Sequence, residues 1–319
     1  MSIAIAATRP QAGKKSGTIG RLLAVTVLCA VGCAQAGDAG MTSASALQAK
    51  YAALQERLLR NQYQRPLYLE SSESPDGVTG DVYALVSYPF ATVGAALSTI
   101  GSWCNILILH VNTKYCRPTT AGRLSILDVA IGKKSSQPLG EAYRVAFEYR
   151  VAALTTDYLR VLLSADKGPL STRNYRMVLE AVAVEDGQTF IHFSYSYGYG
   201  LVGRIGIQTY LETIGRDKVG FSVAGTTADG QSVYVGGRRG LVERNSMRYF
   251  LAIDAYLGAR AVAPPARFEQ SLRDWFAAIE RYPRQLHEME LNEYLDMKRK
   301  EYLRQQADAG TTAKPAPGT

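Results

Sequence analysis

The chain has 319 residues, with 36 Lys and Arg against 28 Asp and Glu, for a formal charge of +8. The basic residues are dispersed, so no block of like charges marks a nucleic-acid-binding arm. With 3 histidines and 4 cysteines, and no C-x-x-C pair among them, metal-site spacing is absent as well.

The first element is a leader. Arg9, Lys14, Lys15 and Arg21 precede Leu22–Val31, an unbroken run of apolar residues and Thr, and Ala34-Gln35-Ala36 closes it with a small-x-small pattern. Residues 1–36 therefore read as a signal peptide, with Gly37 the first mature residue and the periplasm the expected compartment. A run of this length is too short for a bilayer, which needs ~20 residues. Ala30-Val31-Gly32-Cys33 resembles a bacterial lipobox, so lipidation at Cys33 and membrane tethering are the alternative processing route. The leader holds four basic residues and no acid; without it 32 basic face 28 acidic residues, a charge of +4. That mild excess predicts solubility and, at most, peripheral attraction to anionic membranes.

Removing the leader also leaves Cys104 and Cys116 as the only cysteines. An even pair in an oxidising compartment predicts a disulfide. A fully extended chain would hold their Cα atoms ~40 Å apart, whereas a bridge needs about 5–6 Å. The chain between them must bend back, and a hairpin near His110–Asn112 is the expected bend.

In the mature chain, 37–65 reads as a short spacer and a helix. Ser43 is a candidate cap, and Leu47, Tyr51, Leu54 and Leu58 recur at helical spacing over 44–62. Strands are expected at 67–70 and 78–88 around Pro75-Asp76-Gly77, then a helix at 90–100. Six further strands are expected at 105–115, 124–131, 142–153, 158–164, 175–184 and 189–199. No crossover helix fits between them, so they pair antiparallel. In the last strand Phe190, His192, Ser194 and Ser196 alternate with Ile191, Phe193, Tyr195 and Tyr197, one face wetter than the other. A short helix at 202–214, strands at 218–223 and 232–235, and a helix at 241–257 follow. A charged helical extension spans 266–306, broken or kinked at Pro283, and 307–319 reads as a disordered tail.

The order of strand pair, short helix, antiparallel sheet and closing helix over residues 66–258 resembles the START-like, or helix-grip (SRPBCC), superfamily. Tyr88-Pro89-Phe90 leading into a helix, Trp103-Cys104 and the 241–257 helix carry the likeness. It implies an α+β fold, a curved antiparallel sheet gripping a long amphipathic helix, here with added N- and C-terminal helices. It also implies a cavity between sheet and helix for a lipid or other hydrophobic small molecule, with no shared catalytic residues and no cofactor.

The chemistry on offer is sparse. Gly198-Tyr199-Gly200-Leu201-Val202-Gly203 matches G-x-G-x-x-G. Its strand ends an antiparallel series rather than opening a βαβ unit, so the glycines point to a turn and a close backbone approach. There is no G-x-S-x-G elbow, and no residue is assigned a catalytic role. Candidate ligand-binding residues are His192, Tyr195, Tyr197, Asn245, Arg248 and Tyr249. The tyrosines offer apolar bodies with polar tips. Asn245 and Arg248 share a helical stripe with Leu241 that faces something partly buried, a sheet carboxylate such as Glu148 or Glu180, or a ligand head group. The expected function is binding or carriage of a hydrophobic ligand. A cofactor-free enzyme using His192 or a tyrosine in the same cavity, and a structural envelope protein, are the alternatives.

Overall fold

Leu47, Leu54 and Leu58 fall on one stripe of α1 (Asp38–Leu59), and that stripe is buried. The computed structural model describes residues 38–212 and 218–312. The predicted leader, its cleavage point and Cys33 lie outside these residues, as do 213–217 and 313–319.

After α1 come the hairpin β1 (Leu67–Ser74) and β2 (Gly77–Val86), and the short helices α2 (Phe90–Leu97) and α3 (Ile100–Leu107). Six strands then run up and down: β3 (Thr113–Ala121), β4 (Leu124–Ile131), β5 (Tyr143–Leu154), β6 (Tyr158–Lys167), β7 (Thr172–Ala183) and β8 (Thr189–Tyr199). They are followed by α4 (Leu201–Glu212), β9 (Val223–Thr226), β10 (Ser232–Tyr234), α5 (Gly237–Gly258), α6 (Arg267–Ile279), α7 (Pro283–Leu286) and α8 (Leu291–Thr312).

One eight-stranded sheet has the order β1-β2-β8-β7-β6-β5-β4-β3, every neighbour antiparallel. Because side chains alternate along a strand, register sorts them into two faces. Val78, Val82 and Ala84 stand opposite Tyr197, Phe193 and Ile191, while Tyr83 stands opposite His192. The first set packs under α5 and belongs to the main core. The second is outer: Tyr83, Phe190, Tyr158 and Val182 form a smaller core with the α1 leucines. α5 therefore lies across one face and α1 across the other. This is the helix-grip arrangement, with an added helix on the back of the sheet.

The grip is tightest at Gly80. A Cβ there would lie 2.6 Å from Ser246 Oγ and 3.3 Å from the Val242 carbonyl oxygen of α5, so a side chain has no room. Ser246 Oγ donates to the Gly80 carbonyl at 2.9 Å. At the opposite edge α8 packs on β3. Lys298 Nζ donates to the carbonyls of His110 and Thr113, both at 2.7 Å, and Cys116 N–H donates to Gln305 Oε1.

Several sequence expectations change. Helix α1 already runs through Ser43, which is therefore interior to it and not its cap, and the strand expected at 218–223 begins only at Val223. Residues 105–115 are not a strand: α3 runs to Leu107, a turn follows, and β3 starts at Thr113. Trp103, Cys104, Ile106, Leu107, Ile108 and Leu109 are all buried. A segment covered on every side leaves no period from which to tell helix from strand. The bend between the cysteines is thus helix–turn–strand, and it brings Cys104 and Cys116 into a disulfide with Cα atoms 5.2 Å apart. The helical extension is broken at Pro283 as expected: α6 ends at Ile279, and Pro283 opens α7 at its first position. Residues 307–312 belong to α8. No single described helix is long and apolar enough to cross a membrane.

Candidate functional site

The expected ligand wall is filled by its own side chains. Ring centroids are 5.4 Å apart for Tyr175 and Tyr197, 5.7 Å for Tyr195 and Tyr197, and 5.3 Å for Tyr195 and Tyr249. Tyr249 also stacks on buried His110 at 4.6 Å. Burial pushes the Tyr175 phenol up to about 12, and those of Tyr195, Tyr197 and Tyr249 are raised too, burial being the first cause in each. These hydroxyls stay neutral, and the rings serve as core between sheet and α5.

His192 does not face that core. It lies on the outer face beside α1, stacked on Tyr83 at 4.3 Å, with Nε2 2.8 Å from Asp81 Oδ1 and Nδ1 3.1 Å from Glu180 Oε2. Burial alone would lower its pKa, but the hydrogen bonds to Asp81 and Glu180 outweigh burial and raise it. Glu180 also accepts from Tyr158 Oη at 2.5 Å. Its pKa, which burial alone would raise, is lowered by His192 and Tyr158. This constellation ties strands β2, β7 and β8 together on the face away from α5.

Asn245 and Arg248 do face a common space. With Leu241 they occupy successive turns of α5 and line a cleft of about 780 Å³. Its other walls are Asn112, the segment from Ile131 to Gln137 after β4, Tyr143, the β6–β7 turn at Pro169 and Leu170, and Glu288 and Met289 before α8. The Gly132 loop is held in place. Asn112 Nδ2 donates to the Gly132 carbonyl and Gly132 N–H to the Asn112 carbonyl, both at 2.7 Å, and Lys133 N–H donates to Gln137 Oε1. Gly203 of the glycine-rich segment lets α4 approach the β6–β7 turn, since a Cβ there would lie 2.8 Å from the Ser171 carbonyl oxygen. Its role is the close approach expected of it, beside an antiparallel strand.

The floor is ionic. Arg248, 2% exposed, donates through Nη2 to Glu288 Oε1 at 2.5 Å. Lys134 Nζ lies 2.6 Å and Lys218 Nζ 3.8 Å from Glu288 Oε2, and Lys218 also donates to the His287 carbonyl at 2.6 Å. The carboxylate that meets Arg248 is thus Glu288, not the sheet residues Glu148 or Glu180. Burial would raise the pKa of Glu288, but Arg248 and the two lysines hold it below the usual range. Burial lowers both lysines, Glu288 only partly offsetting it. Sequence reasoning missed Lys134, Lys218 and Glu288, which sit in loops without periodicity. Among the described residues no group of His, Cys, Asp and Glu is placed to hold a metal ion.

The sequence matches no protein-family model, and no curated protein matches it. Solved structures similar to it include a conserved protein from Geobacillus kaustophilus, at 14% identity and TM-score 0.34 over 56% of this chain and 95% of that one. The Zhui aromatase/cyclase from Streptomyces sp. R1128 shares 8% identity at TM-score 0.31 over 67% and 96% of the two chains. The human StAR-related lipid transfer protein 5 shares 9% at TM-score 0.30 over 55% and 90%. The strand order and α5 lying across one face of the sheet define an α+β helix-grip architecture.

Proposed function

We propose that this is an exported protein that binds or carries a hydrophobic or lipid ligand in the cleft beside α5, without chemical turnover. The observation that carries the reading is the cleft itself. Its volume lies within the ~300–1,000 Å³ of small-molecule sites, and apolar walls at Ile131, Leu170, Leu241 and Met289 surround a small set of fixed polar groups. Export is supported by the leader pattern and by the Cys104–Cys116 disulfide, which belongs in an oxidising compartment. Peripheral membrane contact is supported by α4, which packs on the β6–β7 turn at the cleft wall and leaves Leu201, Val202 and Ile205 exposed. The enzyme alternative has less support. Of its proposed acids and bases, His192 lies on the other face of the sheet, and the tyrosines are held neutral in the core.

The test is mass spectrometry of organic extracts from protein purified out of its native envelope, with N-terminal sequencing alongside. A stoichiometric long-chain compound on a chain that begins at Gly37 is expected. An N-terminus at Met1 removes the export argument, and a lipid-blocked Cys33 selects the tethered form. Protein that arrives empty and takes up no long-chain compound refutes carriage.

A further inference from the structure

More positive charge gathers at the floor of the cleft than is neutralised there: Lys134, Arg248 and Glu288 line it, and Lys218 stands beside Glu288 outside the lining. Arg248, Lys134 and Lys218 share the single carboxylate of Glu288, all within 4 Å of its oxygens. Arg244, one turn earlier and 1% exposed, adds further repulsion to both lysines. Clustered charges partly removed from water are stabilised by a counter-charge at hydrogen-bonding distance, and three cations on one carboxylate leave room for another. At the rim, by contrast, Lys133 is matched by Glu141 at 3.8 Å, and Glu293 is exposed. The guanidinium itself is under-used. Arg248 bonds its acceptors through Nη2, while its Nε is buried with no acceptor. A planar guanidinium offers donors on three nitrogens and binds oxyanions best through two of them.

We propose that the ligand is an amphiphile with one oxyanion head, a carboxylate or phosphate, seated on Lys134 and Arg248, with Lys218 beside Glu288 adding to the positive field. In this arrangement Glu288 is an internal stand-in for the head, holding the cations while the cleft is empty and yielding Arg248 when the ligand arrives. The apolar tail lies against Leu241, Ile131, Leu170 and Met289, which line the same cleft. This inference rests on the cleft-binding reading and assigns its ligand class.

The experiment is calorimetric titration of the mature chain with three probes: laurate (head and tail), dodecan-1-ol (tail alone) and inorganic phosphate (head alone). Wild type is compared with Glu288→Gln and Lys134→Gln, with a thermal melt of each variant. Laurate should bind wild type at least about tenfold more tightly than the alcohol, the worth of a charge-assisted hydrogen bond, and more tightly than phosphate. Glu288→Gln removes the internal competitor, so it should strengthen laurate and leave the alcohol unchanged. Lys134→Gln should weaken laurate alone. A purely structural ion cluster predicts the opposite for Glu288→Gln, a lower melting temperature with both amphiphiles weakened, and that result overturns the inference. Equal affinity for laurate and the alcohol also overturns it while leaving the cleft reading intact. Phosphate binding as tightly as laurate removes the amphiphile from the proposal. Failure of both amphiphiles to bind refutes the cleft reading itself.

Discussion

Replacing Gly80 with alanine tests whether contact between β2 and α5 sets the grip. The added Cβ would lie 2.6 Å from Ser246 Oγ, inside any normal contact, and 3.3 Å from the Val242 carbonyl oxygen. Either Ser246 rotates and gives up its bond to the Gly80 carbonyl, or α5 moves off the sheet. Overpacking of this kind typically costs about 1–3 kcal/mol, less a few tenths returned by the stiffer unfolded chain. Ser246→Ala alone loses one buried hydrogen bond, about 1 kcal/mol. In the double variant the hydroxyl is already gone, so the clash is relieved and the bond is lost only once. Urea unfolding should therefore show the double variant about 1 kcal/mol more stable than the sum of the two single effects. A neutral Gly80→Ala, or costs that add within ~0.5 kcal/mol, would refute the reasoning. Asn245 and Arg248 ride on the same helix, so a shift of α5 should also weaken the binding proposed for the cleft.

Cys104→Ala opens the only disulfide among the described residues and should cost on the order of 3 kcal/mol for a loop of this length; a melt unchanged by reductant would contradict it. The His192 pKa is raised above its unfolded value of about 6.5, so its stabilising contribution is complete below that pH and is lost as pH rises through the higher folded value. The stability difference between wild type and His192→Gln should accordingly shrink from near pH 6.5 upward, and a difference constant from pH 5 to 9 would remove the ion-pair account. Leu54→Ala, at a buried position between α1 and the outer sheet face, should cost about 2–5 kcal/mol in chemical denaturation. A loss below 0.5 kcal/mol would mean that α1 does not hold to the sheet.

Much of this architecture was legible in the residues because it follows local periodicity. The two-residue alternation of β8 placed His192 and Tyr195 on opposite faces, and the 3.6-residue repeat in α5 put Asn245 and Arg248 on one stripe. An even cysteine count implied the disulfide even though its connecting segment was misread. What periodicity could not convey was decided by packing between distant segments. Ile106 to Leu109 are buried from all sides, and no sequence pattern separates a helix from a strand there. The tyrosines of β8 looked suited to a ligand, but Tyr175 and Tyr249 reach the same space from β7 and α5 and fill it. The ionic floor joins α5 to loops at 134, 218 and 288. Each of those residues, read alone, is an ordinary surface charge; only chain folding over long separations brings three cations onto one carboxylate.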